Sequence, residues 1–184
     1  MKTEVQRLSR EEWLMLALEE VAKEGGAKLR IDKLVEGLGV TKGSFYWHFK
    51  DREDFVQSLV EFWAEHTTTK VIESMSQAQG DAQERLLKLM EVIFTQGLDK
   101  YELPMRVWAV EEPHVAGVVQ EMEARRLAYI RALFVEMGFQ GQDLEMRTRL
   151  FVCYACGEHV FFTRESPEDQ QKTIEAVHAF LTQP

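Results

Sequence analysis

The chain is poor in the residues that build covalent or unusual backbone scaffolds: two cysteines and four prolines in 184 residues. Cys153 and Cys156, three positions apart, cannot make a disulfide framework and suit a reducing compartment. Long hydrophobic runs are missing as well. Stretches such as Trp13 to Leu18 reach about a third of the ~20 apolar residues that span a bilayer, so no membrane segment is expected. The first residues include Glu4, Glu11 and Glu12 and no apolar region ahead of a small-residue cleavage site, which predicts no secretory signal and a cytoplasmic location. Catalytic signatures are absent too. There is no H-E-x-x-H pair, no Gly-rich phosphate loop, no nucleophile elbow and no Ser/His/Asp or Cys/His arrangement on a recognisable scaffold. No enzyme, catalytic residue, metal or cofactor is expected.

What is present is an ordinary globular balance, 45% apolar and 29% charged, which excludes a disordered or collagen-like chain. The net charge of −9 is unevenly spread. Residues 1–50 hold nine Lys/Arg against eight Asp/Glu, whereas residues 51–184 hold thirteen against twenty-three. Between Lys28 and Arg52 the basic residues Lys28, Arg30, Lys33, Lys42, Lys50 and Arg52 face only Asp32, Glu36 and Asp51. If any segment meets a polyanion it is this one; the acidic remainder would be repelled.

Apolar residues recur at helical spacing almost throughout, without convincing period-two alternation, so the chain reads as all-α. Ser9 and Glu12 form a capping box ahead of the stripe Trp13, Leu14, Ala17, Leu18 and Val21, which stops at Gly25-Gly26. A shorter helix carries Ile31, Leu34, Val35 and Leu38 and ends at Gly39, a residue suited to positive φ. Thr41 caps the next short helix, through His48, and Asp51 caps a long one burying Phe55, Leu59, Phe62 and Trp63, with a break near Gln79-Gly80. Further helices are expected from the Asp81 and Glu84 cap to Gly97, from Leu103 to Val110, from Pro113 to near Gly138, from Asp143 to Arg164 and after Ser166. That makes about nine helices. A boundary at residues 52 and 53 divides them into 1–52 and 53–184.

The stretch Ile31 to Phe55, IDKLVEGLGVTKGSFYWHFKDREDF, has the layout of a helix-turn-helix, two short helices joined at Leu38-Gly39-Val40. The second helix has fitting chemistry. Thr41 and Ser44 offer hydroxyls, Lys42 a cation, and Gly43 lets a backbone approach closely. Phe45 and Phe49, four apart, would pin the helix to its domain while Tyr46, Trp47 and His48 face outward, suited to phosphate, sugar and thymine methyls. Three consecutive helical residues cannot all point into a core.

The segment GVTKGSFYWHFKDREDF, Gly39 to Phe55, resembles the tetracycline-repressor (TetR) family of bacterial transcriptional regulators, and Ala17-Leu18-Glu19-Glu20-Val21-Ala22 before Glu24-Gly25 adds to the likeness. The strong match covers about 45 residues. The resemblance implies a three-helix DNA-binding domain, a helical effector-binding and dimerisation domain, and repression at an inverted-repeat DNA operator relieved by a small molecule. By position it implies that Thr41 and Lys42 reach phosphate or base edges, that Ser44 and Trp47 read sequence, that the Tyr46 hydroxyl contacts phosphate, and that His48 lies along the DNA backbone. Arg52 stands where the family usually has lysine at the start of the fourth helix, a phosphate-binding place. With Arg30, Gly43 and Lys50 these form the candidate double-stranded DNA interface. Val35, Leu38, Phe45 and the bulky Trp47 depart from the commoner residues, so no relative's operator sequence can be borrowed.

Met105 and Trp108, with Met90, Phe94 and Met122, are candidates for the wall of an effector pocket, where adaptable apolar groups are typical; plain core is the alternative for them. The acidity of this half favours a neutral or cationic effector. Cys153, Cys156 and His159 share one side of a helix, and apolar packing is the simpler role for the thiols. The two last helices are rich in large apolar residues, and the resemblance implies a homodimer interface there through Leu150, Tyr154, Phe161, Val177 and Phe180. A competing expectation is a helical small-molecule binder or enzyme that keeps the helix-turn-helix only as structure.

Overall fold

The structure, a computed structural model, describes residues 8–26, 29–157 and 166–183. Of the residues named above, Glu4, Lys28, His159, Phe161 and Arg164 lie outside that set. The described residues are all-helical with no strand, as the periodicity predicts. The helices are α1 (Arg10–Glu24), α2 (Ile31–Gly37), α3 (Lys42–His48), α4 (Arg52–Ala64), α5 (Lys70–Gln77), α6 (Ala82–Thr95), α7 (Glu102–Glu111), α8 (Pro113–Glu136), α9 (Gly141–Gly157) and α10 (Pro167–Thr182). A π-helical turn, Glu65–Thr69, joins α4 to α5 without a break, and a 3-10 turn, Asp99–Tyr101, leads into α7. With α4 and α5 taken as one rod, the described helices number nine.

Local chemistry explains most boundaries. The Ser9 hydroxyl accepts from the Glu12 amide at 3.2 Å while the Glu12 carboxylate accepts from the Ser9 amide at 2.7 Å, closing the expected capping box. Asp81 and Glu84 repeat the device at α6. Thr41, Asp51 and Ser166 cap α3, α4 and α10. Gly39, at φ +62°, makes the turn between α2 and α3 in the left-handed region. The π turn has no such sequence signal. Insertion of one residue into a helical ladder leaves the apolar spacing on either side intact, so periodicity alone passes over it.

The chain packs as two compact units. Unit one holds the described residues through Glu65 together with Pro104–Val119, and unit two holds His66–Leu103 with the described residues from Gln120 onward. In unit one α1 packs on α4 and α2 on α3. Trp13, Leu18 and Val21 of α1, Phe45 of α3, and Phe55, Leu59 and Trp63 of α4 are fully buried. Trp108 also belongs to this core and lies so close to Gly26 that a Cβ there would fall within its ring. Unit two is built around Leu86, Met90, Ile130, Leu133, Phe134, Phe151, Ile174 and Leu181. Its α6 packs against α5 and α10.

Candidate functional site

The short α3 has two distinct faces. Phe45 and Phe49 are buried, with ring centroids 5.2 Å apart, and Phe45 meets Trp13 edge-on at 5.8 Å and Phe55 at 5.2 Å. On the other side Trp47 is 84% exposed and Tyr46 59%. Thr41, Lys42 and Gly43 are exposed and Ser44 is half-buried; Arg30, Lys50 and Arg52 are exposed on flanking segments. A Cβ at Gly43 would meet only the Thr41 hydroxyl, at 3.6 Å, so the internal packing of the domain does not call for glycine there. His48 differs from its expected outward placement. It is half-buried, and its Nε2 lies 2.8 Å from the Leu8 carbonyl oxygen, tying α3 to the segment before α1.

Two of the cations already have acidic partners. Lys42 Nζ lies 2.6 Å from Asp32 Oδ1 across the turn between α2 and α3. Hydrogen bonding and charge attraction from Lys42 hold the Asp32 carboxyl below the usual carboxylate range, and Asp32 in return pushes the Lys42 ammonium up. Both side chains are largely exposed, so the pair adds little to stability and mainly sets where the ammonium sits. Arg52 Nη2 lies 3.7 Å from Glu112 Oε1, and Glu112 also approaches His114 Nδ1 at 3.9 Å. At the start of α4 the Asp51 carboxylate accepts from the Asp54 amide at 2.9 Å.

Residues 14–59, which contain the α3 platform, match the family described as bacterial regulatory proteins, tetR family. Over those residues the chain resembles that family of transcriptional regulators. Over 103 residues it is 27% identical to the HTH-type transcriptional regulator AcrR of Shigella flexneri; the match spans 47% of this chain and about half of that relative, 48%. Solved structures extend the likeness to the whole fold. The ketosteroid transcriptional regulator KstR2 of Mycobacterium tuberculosis superposes with a TM-score of 0.71 at 15% identity, covering 97% of each chain. AibR, in complex with isovaleryl coenzyme A and operator DNA, gives 0.72 at 13% identity, covering 96% of this chain and 100% of its own.

A cavity of about 60 Å³ lies within unit two. Its walls include Val71, Leu89, Ile93, Ile130, Phe151 and Val152, and its polar lining is Thr67, Thr68, Asp99, Glu102, Arg126, Tyr129 and Cys156. Arg126 is the hub. Its Nη1 donates to Glu102 Oε2 at 2.6 Å, its Nε to Thr68 at 2.8 Å and its Nη2 to Thr67 at 3.0 Å. The π turn thus supplies two of the three acceptors. Burial pushes the Tyr129 phenol up.

The five residues named from sequence for an effector pocket are all buried, and none lies on this wall. Met90 and Phe94 belong to the apolar core of unit two, Met105 and Trp108 to unit one, and Met122 to the start of unit two. The wall does include a residue that the pattern of α8 could have revealed. Arg126 falls exactly between Met122 and Ile130 at four-residue spacing, an arginine in register with an apolar stripe. Of the dimer candidates, Leu150 and Phe180 are exposed, while Tyr154 and Val177 are half-buried against the core. No helix among the described residues is long and apolar enough to cross a membrane.

Proposed function

We propose that the chain is a cytoplasmic homodimeric repressor that binds an inverted-repeat operator and is released by a small-molecule effector. The observation that carries the reading is the division of α3 into a buried face of Phe45 and Phe49 and an exposed face of Tyr46 and Trp47. A large aromatic surface held rigidly in water beside three cations suits a duplex, with phosphates engaging Lys42, Lys50 and Arg52 and base edges or thymine methyls meeting Trp47. Residues 1–52 serve DNA in this reading, and 53–184 serve effector and partner. Exposed Leu150 on α9 and Phe180 on α10, the latter 67% exposed, support pairing with a second copy. Two copies multiply the modest affinity of one seven-residue recognition helix. The unit-two cavity, with apolar walls and a few fixed polar groups, is the effector site in this reading. Effector acts by binding one of two conformations more tightly.

Selection of bound DNA from a random pool, followed by titration of the selected site against salt, tests the reading. Retardation that weakens steeply with salt is the expected result; no retardation of any pool member refutes it. Arg52→Ala is expected to weaken binding on every sequence alike and to lower the salt slope by about one, whereas Trp47→Ala is expected to change which bases are selected. Asp32→Asn separates Lys42 from its acidic neighbour. It is expected to tighten binding severalfold at low salt, a gain that fades as salt is raised; unchanged affinity would show that Lys42 does not meet phosphate.

A further inference from the structure

Arg52, the first residue of α4, has an acidic neighbour that comes from far along the chain. Its Nη2 lies 3.7 Å from Glu112 Oε1, and the other oxygen of that carboxylate, Oε2, lies 3.9 Å from His114 Nδ1. Glu112 stands between the end of α7 and the start of α8, and all three residues belong to unit one. Its backbone is held on both sides. The Glu112 amide donates to the Trp108 carbonyl at 3.1 Å, and the Glu112 carbonyl accepts from the Ala116 amide at 3.1 Å. Trp108 and Val115, before and after it, have no exposed surface. The carboxylate is therefore presented from a fixed base, while the Arg52 side chain stays 52% exposed. Asp51 and Asp54, next to Arg52 in sequence, each spend a carboxylate oxygen on a backbone amide, of Asp54 at 2.9 Å and of Lys50 at 2.8 Å. Glu112 instead turns its two oxygens to side chains.

We propose that Glu112 is an internal competitor for the DNA phosphate that Arg52 meets, so that the α7–α8 junction sets how strongly α4 holds a duplex. The proposal rests on the reading of Arg52 as a phosphate contact. A carboxylate and a phosphate are alternative anionic acceptors for one guanidinium, and an arginine drawn toward Glu112 gives up part of that attraction when it turns to DNA. Because the pair is exposed and its atoms are 3.7 Å apart, the attraction is modest and screened by salt. Removing it is expected to tighten binding by about two- to fivefold at low salt. Glu112 lies outside α1 to α4, so it gives a later part of the chain a direct hold on a residue of the DNA-facing surface.

The test is a double-mutant cycle on the full chain, titrated against a duplex carrying the site selected from the random pool, at low and at raised salt. Glu112→Gln is expected to bind about two- to fivefold more tightly than the unaltered chain at low salt, with the gain fading as salt is raised and the thermal unfolding midpoint unchanged. In an Arg52→Ala background the same substitution is expected to bring no gain, because the group that Glu112 competes for is gone. Glu111→Gln removes the same charge from the exposed neighbouring residue and is expected to tighten binding less. Three results overturn the competitor role: no gain from Glu112→Gln, an equal gain from Glu111→Gln, or a gain that persists without Arg52. The last two would mark a general repulsion between this acidic edge and DNA. In each of these cases the unaltered chain still retards the duplex, and the DNA-binding reading stands. If the unaltered chain retards no duplex at all, that reading and the competitor role fall together.

Discussion

Phe45→Ala is expected to destabilise unit one by about 3–5 kcal/mol, the range for emptying a buried aromatic site. Phe45 has no exposed surface and touches Trp13, Phe49 and Phe55, one ring from α1, one from just past α3 and one from α4. Its loss opens the point where α1 and α4 meet α3. A seven-residue helix has little stability of its own and takes its position from such contacts. DNA affinity is therefore expected to fall well beyond the fraction of molecules unfolded, because the folded remainder presents Trp47 and Tyr46 on a loosened support. Denaturant unfolding and operator titration of the same sample check this. A drop in stability with unchanged affinity of the folded fraction would show that α3 is held by other contacts. Trp47→Ala, at an exposed position, is expected to change stability by no more than about 0.5 kcal/mol.

The second large effect lies in unit two. Arg126→Leu removes the cation beside a Glu102 that is 4% exposed and the donor to two buried threonine hydroxyls, Thr67 and Thr68. Breaking a buried pair from one side costs about 3–5 kcal/mol. The double variant Arg126→Leu with Glu102→Leu is expected to recover much of the loss, since apolar groups of similar size can replace a buried pair at little net cost. Thermal or denaturant unfolding of the two variants distinguishes a pair that is present for stability from one that is present for recognition. If the double variant is as unstable as the single one, the threonine bonds to the π turn carry the cost.

The sequence made α1 to α4 legible because that segment is governed by local rules. Caps at Ser9, Thr41 and Asp51, the positive φ of Gly39 and the four-residue spacing of Phe45 and Phe49 each act within one or two turns of chain. The exposed positions of Tyr46 and Trp47 follow from that spacing. His48 broke the pattern because its partner, the Leu8 carbonyl, is forty residues away and belongs to no local motif.

Local spacing also determined the all-helical class and the number of rods among the described residues. Where the cavity lies was decided only by tertiary structure. Its polar end brings together Thr67 and Thr68 from a π turn, Glu102 from the start of α7 and Arg126 from the middle of α8. These residues are separated by up to 59 positions. An apolar stripe tells that a helix face is buried but not which neighbour covers it, so Met90 and Phe94 read equally well as core or as pocket. Choosing between them takes the packing of several helices at once, and that packing places hydrocarbon around Met90 and open space beside the half-buried Arg126.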